Sequence, residues 1–165
     1  MLSIFNKFLL SILLVLFISA CATTPKDTAD SSGEGASSDY SNDLTVIPGS
    51  QEDLIVNVGD RVFFGYDSSE LDSDAQELLQ DQVAWLKQYP AVSITVEGHC
   101  DERGTREYNL ALGEKRAQAV KNHLIVLGID SSRVSTISYG KERPSVVGSN
   151  DEAWSQNRRS VTTVN

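Results

Sequence analysis

The pattern of hydrophobic and polar positions predicts an α+β domain over residues 53–165. Val92, Ile94 and Val96 alternate with polar residues, as in a strand with one buried face. In the segment 73–89, hydrophobic residues recur every three or four positions, which is typical of an amphipathic helix. The predicted elements are strands near 54–58 and at 61–66, 92–97, 134–139 and 160–164, helices at 73–89 and 107–127, and a turn of helix around Trp154. Their order after the first short strand, β-α-β-α-β-β, predicts a sandwich with two helices packed on a mixed sheet.

Local signals mark the predicted helix ends. Ser73-Asp-Ala-Gln76 and Ser149-Asn-Asp-Glu152 have the spacing of capping boxes, in which the first and fourth side chains bind free backbone N–H groups. Gly128 is predicted to end the second long helix, because glycine readily adopts the left-handed backbone found at such ends.

The first 20 residues have the pattern of a lipoprotein signal peptide. Lys7 precedes an apolar run at 8–17, well short of the roughly 20 residues that a membrane-spanning helix needs. Ile18-Ser-Ala-Cys21 then resembles a lipobox. This resemblance implies cleavage before Cys21 and three acyl chains on it, and Ala22 implies sorting to the outer membrane. An ordinary secretory signal with an incidental cysteine is the alternative.

Residues 21–52 are predicted to form a flexible linker behind the acylated cysteine. Ser, Thr, Gly, Asp and Ala dominate this segment, and residues 21–50 carry one lysine against five acidic side chains. Such a segment buries too little apolar surface to offset the entropy lost on ordering. We expect a tether that lets the domain reach a target away from the membrane. A spacer that only clears the lipid headgroups is the alternative.

Composition disfavours several classes of function. The 165 residues carry 14 Lys and Arg against 23 Asp and Glu, a formal net charge of −9. Nucleic acid is a poor candidate partner, because phosphate binding requires clustered basic side chains. With only two cysteines and two histidines, the sequence predicts neither a disulfide-rich scaffold nor a metal centre, and it suggests no cofactor.

The second long helix carries a charged residue on its apolar face. Arg116 lies about 40° from Leu112 around the helix axis. Asn109 and His123 share the same stripe, and His123 is expected to be a satisfied histidine of that face. A buried guanidinium needs an anion or hydrogen-bond acceptors. Its partner is expected to be Asp101, as a structural ion pair, or a ligand carboxylate, and the spacing favours neither.

Five short motifs in the predicted domain resemble those of a known family. They are Gly98-His-Cys-Asp-Glu-Arg-Gly-Thr105, Tyr108-Asn109, Leu112-Gly-Glu-Lys-Arg116-Ala117, Ser138-Tyr-Gly-Lys141 and Asn157-Arg-Arg159. Together they identify residues 58–164 as a member of the OmpA-like peptidoglycan-binding domains, in the version found in peptidoglycan-associated lipoproteins. The resemblance implies an OmpA-like sandwich and a binding protein that is not an enzyme.

The resemblance also implies a site for the meso-diaminopimelate of the peptidoglycan stem peptide. Asp101 would bind the ammonium of this residue and Arg116 its carboxylate. Asn109 would add hydrogen bonds, and Asp67 and Arg158 match positions near the site in relatives. A zwitterion needs one fixed anion and one fixed cation, and we expect Asp101 and Arg116 to neutralise each other in the absence of ligand.

The sequence departs from the family pattern at two positions. Gly65 stands where an aspartate is frequent, which leaves Asp67 as the remaining carboxylate. Cys100 replaces a usual threonine or alanine and is small enough to be accommodated. We therefore expect the site to be retained.

At the level of the cell, the resemblance implies an outer-membrane lipoprotein on the periplasmic face that tethers the membrane to peptidoglycan. It also implies binding to TolB and other Tol proteins of the Tol-Pal system, which serves envelope integrity and cell division. The alternative is a protein-interaction module that binds TolB and holds the wall weakly. Catalysis is disfavoured, because His99, Cys100 and Asp101 are consecutive and their side chains point in alternating directions.

Substitution of the lipobox cysteine provides a test of the anchor. Two or more acyl chains hold a protein stably on a membrane, whereas an unacylated chain has no such attachment. The wild-type chain is expected to begin at Cys21 and to partition into detergent, and Cys21→Ser is expected to abolish lipid attachment. Recovery of an unmodified Cys21 peptide from membrane-bound wild-type protein, by mass spectrometry, would contradict the prediction.

Overall fold

A computed structural model describes residues 46–165, so the predicted signal peptide, Cys21 and the linker up to residue 45 lie outside the described residues. The elements are α1 (Gln51–Asn57), β1 (Arg61–Phe63), α2 (Ser73–Gln88), β2 (Ile94–His99), α3 (Arg106–Val126), a 3-10 turn (Ser131–Arg133), β3 (Val134–Gly140), α4 (Asp151–Asn157) and β4 (Arg159–Val164). Within residues 46–165, no helix is both long and apolar enough to cross a bilayer.

The four strands form one mixed sheet in the order β1-β4-β2-β3. Strand β4 is antiparallel to both neighbours, and β2 and β3 are parallel strands connected by α3. Ile94 and Val96 of β2 are fully buried, as their alternation predicts. The core between the sheet and the two long helices consists of Leu54, Val62, Phe64, Ala75, Leu79, Val83, Trp85, Leu86, Ile94, Val96, Ala117, Val120, Leu124, Ile129 and Val134. The predicted α+β architecture is confirmed.

The predicted strand near 54–58 is wrong, because this segment lies in helix α1 and the residue that follows it. Leu54 is buried in the core, whereas Ile55 and Val56 are exposed. The buried carboxylate of Asp53 accepts hydrogen bonds from the Gly49 N–H and from the side chains of Asn57 and Trp85. These bonds, two of them local and one from the distant Trp85, hold the segment as a helix, although its run of β-branched residues favours a strand. The helix begins two residues before the predicted domain boundary at 53.

Both predicted helix caps are displaced by one residue. Helix α2 is capped by Asp72, whose carboxylate accepts from Ala75 N at 2.9 Å, rather than by Ser73. Helix α4 is capped by Asn150, which accepts from Ala153 N at 2.8 Å, rather than by Ser149. The predicted end of α3 is confirmed.

A contact between two glycines sets the distance between α3 and the sheet. A Cβ atom on Gly98 of β2 would lie 1.8 Å from the carbonyl oxygen of Gly113 in α3. A Cβ atom on Gly113 would lie 2.3 Å from Ser138 Oγ of β3. The helix can therefore lie directly on β2 and β3 only because neither position carries a side chain.

Gly98→Ala is expected to lower the free energy of unfolding by about 3 kcal/mol, because the added methyl group would push backbone against backbone. Urea denaturation followed by circular dichroism measures the change. Gly65→Ala is the matched control, since its methyl group would lie 3.6 Å from Ser68 Cβ, and it should cost less than about 1 kcal/mol. A Gly98→Ala variant with wild-type stability would contradict this account of the contact.

Candidate binding site

The C-terminal end of β2 opens into a cavity of about 410 Å³. The loop after β2, the start of α3, the segment after β1 and the start of β4 surround it. The five residues predicted for the binding site all line this cavity: Asp67, Asp101, Asn109, Arg116 and Arg158. Tyr66, Cys100, Arg103, Gly104, Thr105, Tyr108 and Leu112 complete the lining. A cavity at the carboxyl end of a parallel strand, beside the helix that follows, is a common place for ligands in α/β structures.

Asp101 lies in the loop after β2 and is 5% exposed. Its predicted pairing with Arg116 is wrong, because the charged side chains against it are Arg103 at 2.6 Å and Arg158 at 3.5 Å. Burial opposes ionisation of this carboxyl group. The hydrogen bonds and charge of Arg103, with the charge of Arg158, outweigh burial and lower the pKa of Asp101 below its usual value. The cavity therefore holds a carboxylate that is ionised at neutral pH.

Arg116 is fully buried in α3 and binds backbone carbonyl groups instead of an acid. Its Nε donates to Ser68 O at 2.8 Å, Nη1 to His99 O at 2.8 Å and Nη2 to Gly65 O at 3.1 Å. Burial lowers the pKa of Arg116, but a guanidinium keeps its proton in proteins. These three bonds use three of its five N–H groups, which leaves one on each terminal nitrogen for another acceptor.

Asn109 and Cys100 connect the first turn of α3 to the loop after β2. Asn109 Nδ2 donates to Arg103 O at 2.7 Å, and the Cys100 thiol donates to Asn109 O at 3.3 Å. Cys100 is buried, and burial raises the pKa of its thiol. As expected from its size, the cysteine fits in the cavity wall.

Asp67 stands at the exposed rim of the cavity with an uncommon backbone conformation. Its φ of 52° lies in the left-handed region, which few residues other than glycine adopt. The Tyr108 hydroxyl donates to its carboxylate, and this bond raises the pKa of Tyr108. On the other side, Arg158 Nε donates to Phe64 O at 3.0 Å. Asp67 and Arg158, both predicted for the site, are therefore held in place by neighbours from other elements.

The sequence analysis did not predict the arrangement around Arg103. The guanidinium lies between two aromatic rings, 4.2 Å from the centre of Tyr66 and 4.1 Å from that of Trp154. Its position two residues after Asp101 was the available signal, since such a spacing allows a side chain to return to the carboxylate. The two aromatic partners come from segments far away in the sequence.

His99 does not take part in the cavity. Its ring is 2% exposed, lies 3.3 Å from a Glu97 oxygen and packs against Tyr139. Burial and the nearby charge of Arg159 lower its pKa to about 4. The histidine is therefore neutral at pH 7 and contacts neither the Cys100 thiol nor the Asp101 carboxylate.

With the cavity and fold described, comparison with known proteins places the chain in a family. The sequence profile of the OmpA family matches residues 63–158. The chain belongs to the OmpA family. The loop after β2, α3, β3 and α4 all lie within the matched residues.

Individual relatives agree with this assignment. The chain is 49% identical over 161 residues to the peptidoglycan-associated lipoprotein of Mesorhizobium japonicum, covering 96% of this chain and 92% of that protein. It is 58% identical over 118 residues to the peptidoglycan-associated lipoprotein of Brucella melitensis, covering 72% of this chain and 70% of that protein. The predicted resemblance to this group is confirmed.

Solved structures share the architecture of the domain. The crystal structure of the Burkholderia pseudomallei peptidoglycan-associated lipoprotein matches with a TM-score of 0.63 at 42% identity, covering 64% of this chain and 90% of that one. The C-terminal domain of Helicobacter pylori MotB matches with a TM-score of 0.60 at 23% identity, covering 64% and 84%, and shares the fold.

Arg116→Met is expected to lower the free energy of unfolding by at least about 3 kcal/mol, because it leaves three backbone carbonyls without their donor. Lys115→Met is the control, since Lys115 is exposed and next in sequence. Thermal and urea denaturation measure both variants. Equal stability of the two would show that the three carbonyl contacts do not support the fold.

Proposed function

We propose that the domain binds peptidoglycan non-covalently through the diaminopimelate of the stem peptide. The observation that carries the proposal is that a buried carboxylate and three guanidinium groups come together in one cavity. The free end of diaminopimelate carries an ammonium and a carboxylate on one carbon. It therefore needs a fixed anion and fixed cationic donors within a short distance of each other.

Asp101 is the proposed partner of the ammonium group. It is the buried carboxylate of the cavity, and its lowered pKa keeps it charged. Asp67, at the rim, is a second acceptor for donors of the peptide.

Arg116 and Arg158 are the proposed partners of the ligand carboxylate. Arg116 retains an N–H group on each terminal nitrogen, and its position is fixed by the three carbonyls. Arg158 donates through Nε to Phe64 O and places Nη1 3.5 Å from Asp101 Oδ2, which leaves Nη2 for the ligand. Asn109 is committed through Nδ2 to Arg103 O, so its proposed contribution rests on its side-chain oxygen.

The relatives support the wider biological role. They bear the name peptidoglycan-associated lipoprotein over almost the whole length of this chain. We extend the proposal to an outer-membrane lipoprotein, acylated at Cys21, that faces the periplasm and links the membrane to the wall. Binding to TolB and other proteins of the Tol-Pal system, with a part in envelope integrity and cell division, is proposed from the family resemblance.

Asp101→Asn is expected to weaken binding to purified peptidoglycan at least about 30-fold, because it removes a buried charge from a charge-assisted contact. Asparagine keeps the size of the side chain and an acceptor for Arg103 N. The assay is sedimentation of the full chain, purified in detergent, with peptidoglycan sacculi. Free meso-diaminopimelate should release the wild-type protein.

Asp74→Asn is the matched control, because Asp74 is exposed on α2 outside the cavity. It removes the same charge and should bind as well as wild type. Wild-type binding by a folded Asp101→Asn variant would place the wall-binding site elsewhere. Failure of the wild-type chain to sediment with sacculi would favour a protein-interaction module.

A further inference from the structure

Arg103 binds the Asp101 carboxylate at both oxygens. Its Nη2 lies 2.6 Å from Oδ2, and its Nε lies 3.2 Å from Oδ1. The backbone N–H of Arg103 also donates to Oδ1 at 3.1 Å, and Arg158 Nη1 lies 3.5 Å from Oδ2. A carboxylate offers about four lone-pair positions. Three hydrogen bonds from Arg103 and the ion-pair contact with Arg158 surround this carboxylate in the structure.

An ammonium group can therefore reach Asp101 only if one of these donors moves. The backbone N–H of Arg103 is part of the main chain of the loop after β2, and Arg158 is held through Nε by Phe64 O. The Arg103 side chain is 31% exposed, and its remaining partners are the flat faces of Tyr66 and Trp154. A guanidinium can slide between two ring faces without losing both contacts, whereas a directional hydrogen bond is lost by the same movement. The Arg103 side chain is therefore the donor that can move away from Asp101.

We propose that Arg103 is a built-in counter-ion that occupies the ammonium position beside Asp101 and restricts the site to ligands carrying a carboxylate next to the ammonium. This inference rests on the proposed function and adds a selectivity device to the same site. Displacement of the Arg103 side chain separates its guanidinium from the Asp101 carboxylate, which is unfavourable in a partly buried location. A ligand with a neighbouring carboxylate supplies a new anion to the arginines of the cavity. A lone ammonium supplies none.

The two common stem-peptide chemistries differ in this respect. Diaminopimelate ends in an amino-acid zwitterion, whereas a lysine side chain ends in an ammonium alone. Arg103 therefore lowers the affinity of the site for the lysine form more than for the diaminopimelate form. Trp154 contributes indirectly, because its indole N–H is held by Glu102 Oε1 at 3.0 Å and its ring supports the guanidinium.

The test compares two tripeptides, L-Ala-γ-D-Glu-meso-diaminopimelate and L-Ala-γ-D-Glu-L-Lys, binding to the full chain in detergent, with dissociation constants from NMR titration. In Arg103→Gln, affinity for the lysine peptide is expected to rise about three- to tenfold, the scale of one partly exposed ion pair. Affinity for the diaminopimelate peptide should change less. The ratio of the dissociation constant of the lysine peptide to that of the diaminopimelate peptide should therefore fall. In wild type, the Arg103 Nε–H signal should shift when the diaminopimelate peptide binds.

Arg106→Gln is the matched control, because Arg106 is exposed, pairs with Glu142 at 3.3 Å and lies outside the cavity. It removes the same charge and should leave the ratio unchanged. An equal loss of affinity for both peptides in Arg103→Gln would show that Arg103 contacts the ligand directly, and it would overturn the proposal. An unchanged ratio of the two dissociation constants in Arg103→Gln would overturn it as well. So would an equal change of this ratio in Arg103→Gln and Arg106→Gln. If wild type binds neither peptide, the proposed function itself fails.

Discussion

The guanidinium of Arg116 is the connection on which the rest of the site depends. It joins α3 to the carbonyls of Gly65 and Ser68 in the segment after β1, and to the carbonyl of His99 at the end of β2. Backbone carbonyls buried in a loop need donors, and one planar cation with five N–H groups supplies them in several directions. The residue that shapes the cavity wall is thus the same residue that presents a fixed positive charge inside it.

Arg133 performs a similar structural task at the opposite end of the sheet. It donates to the carbonyls of Leu86, Tyr89 and Val92, where α2 ends and the chain turns toward β2. Arg133 lies outside the site cavity, whereas Arg116 lines it. Donation to backbone carbonyls accounts for an arginine in either place, whereas a role in ligand binding is proposed only for Arg116, which lines the cavity.

The sequence predicted the architecture and a set of residues that the structure brings together around one cavity, because periodicity indicates which faces are buried and the motifs mark the loop and helix residues that meet there. Arg116 on an apolar helix face pointed to the cavity. Two of its three partners, the carbonyls of Gly65 and Ser68, could not be predicted, because they belong to an irregular segment that includes the left-handed backbone at Asp67. The error at 54–58 has a related origin. The side-chain bonds to Asp53 come partly from Trp85, which is distant in sequence.

Net charge proved a poor guide to the chemistry of the site. The chain carries a formal charge of −9, yet the cavity is lined by three arginines and only two aspartates. Coulomb interactions at a ligand are dominated by groups a few ångströms away in a partly buried environment, while distant surface charges are screened by salt. An excess of one guanidinium over the carboxylates gives the cavity a positive local charge, which favours a ligand with more acidic than basic groups. The acidity of the remaining surface then acts against non-specific attraction of the domain to anionic surfaces, so that recognition depends on the cavity.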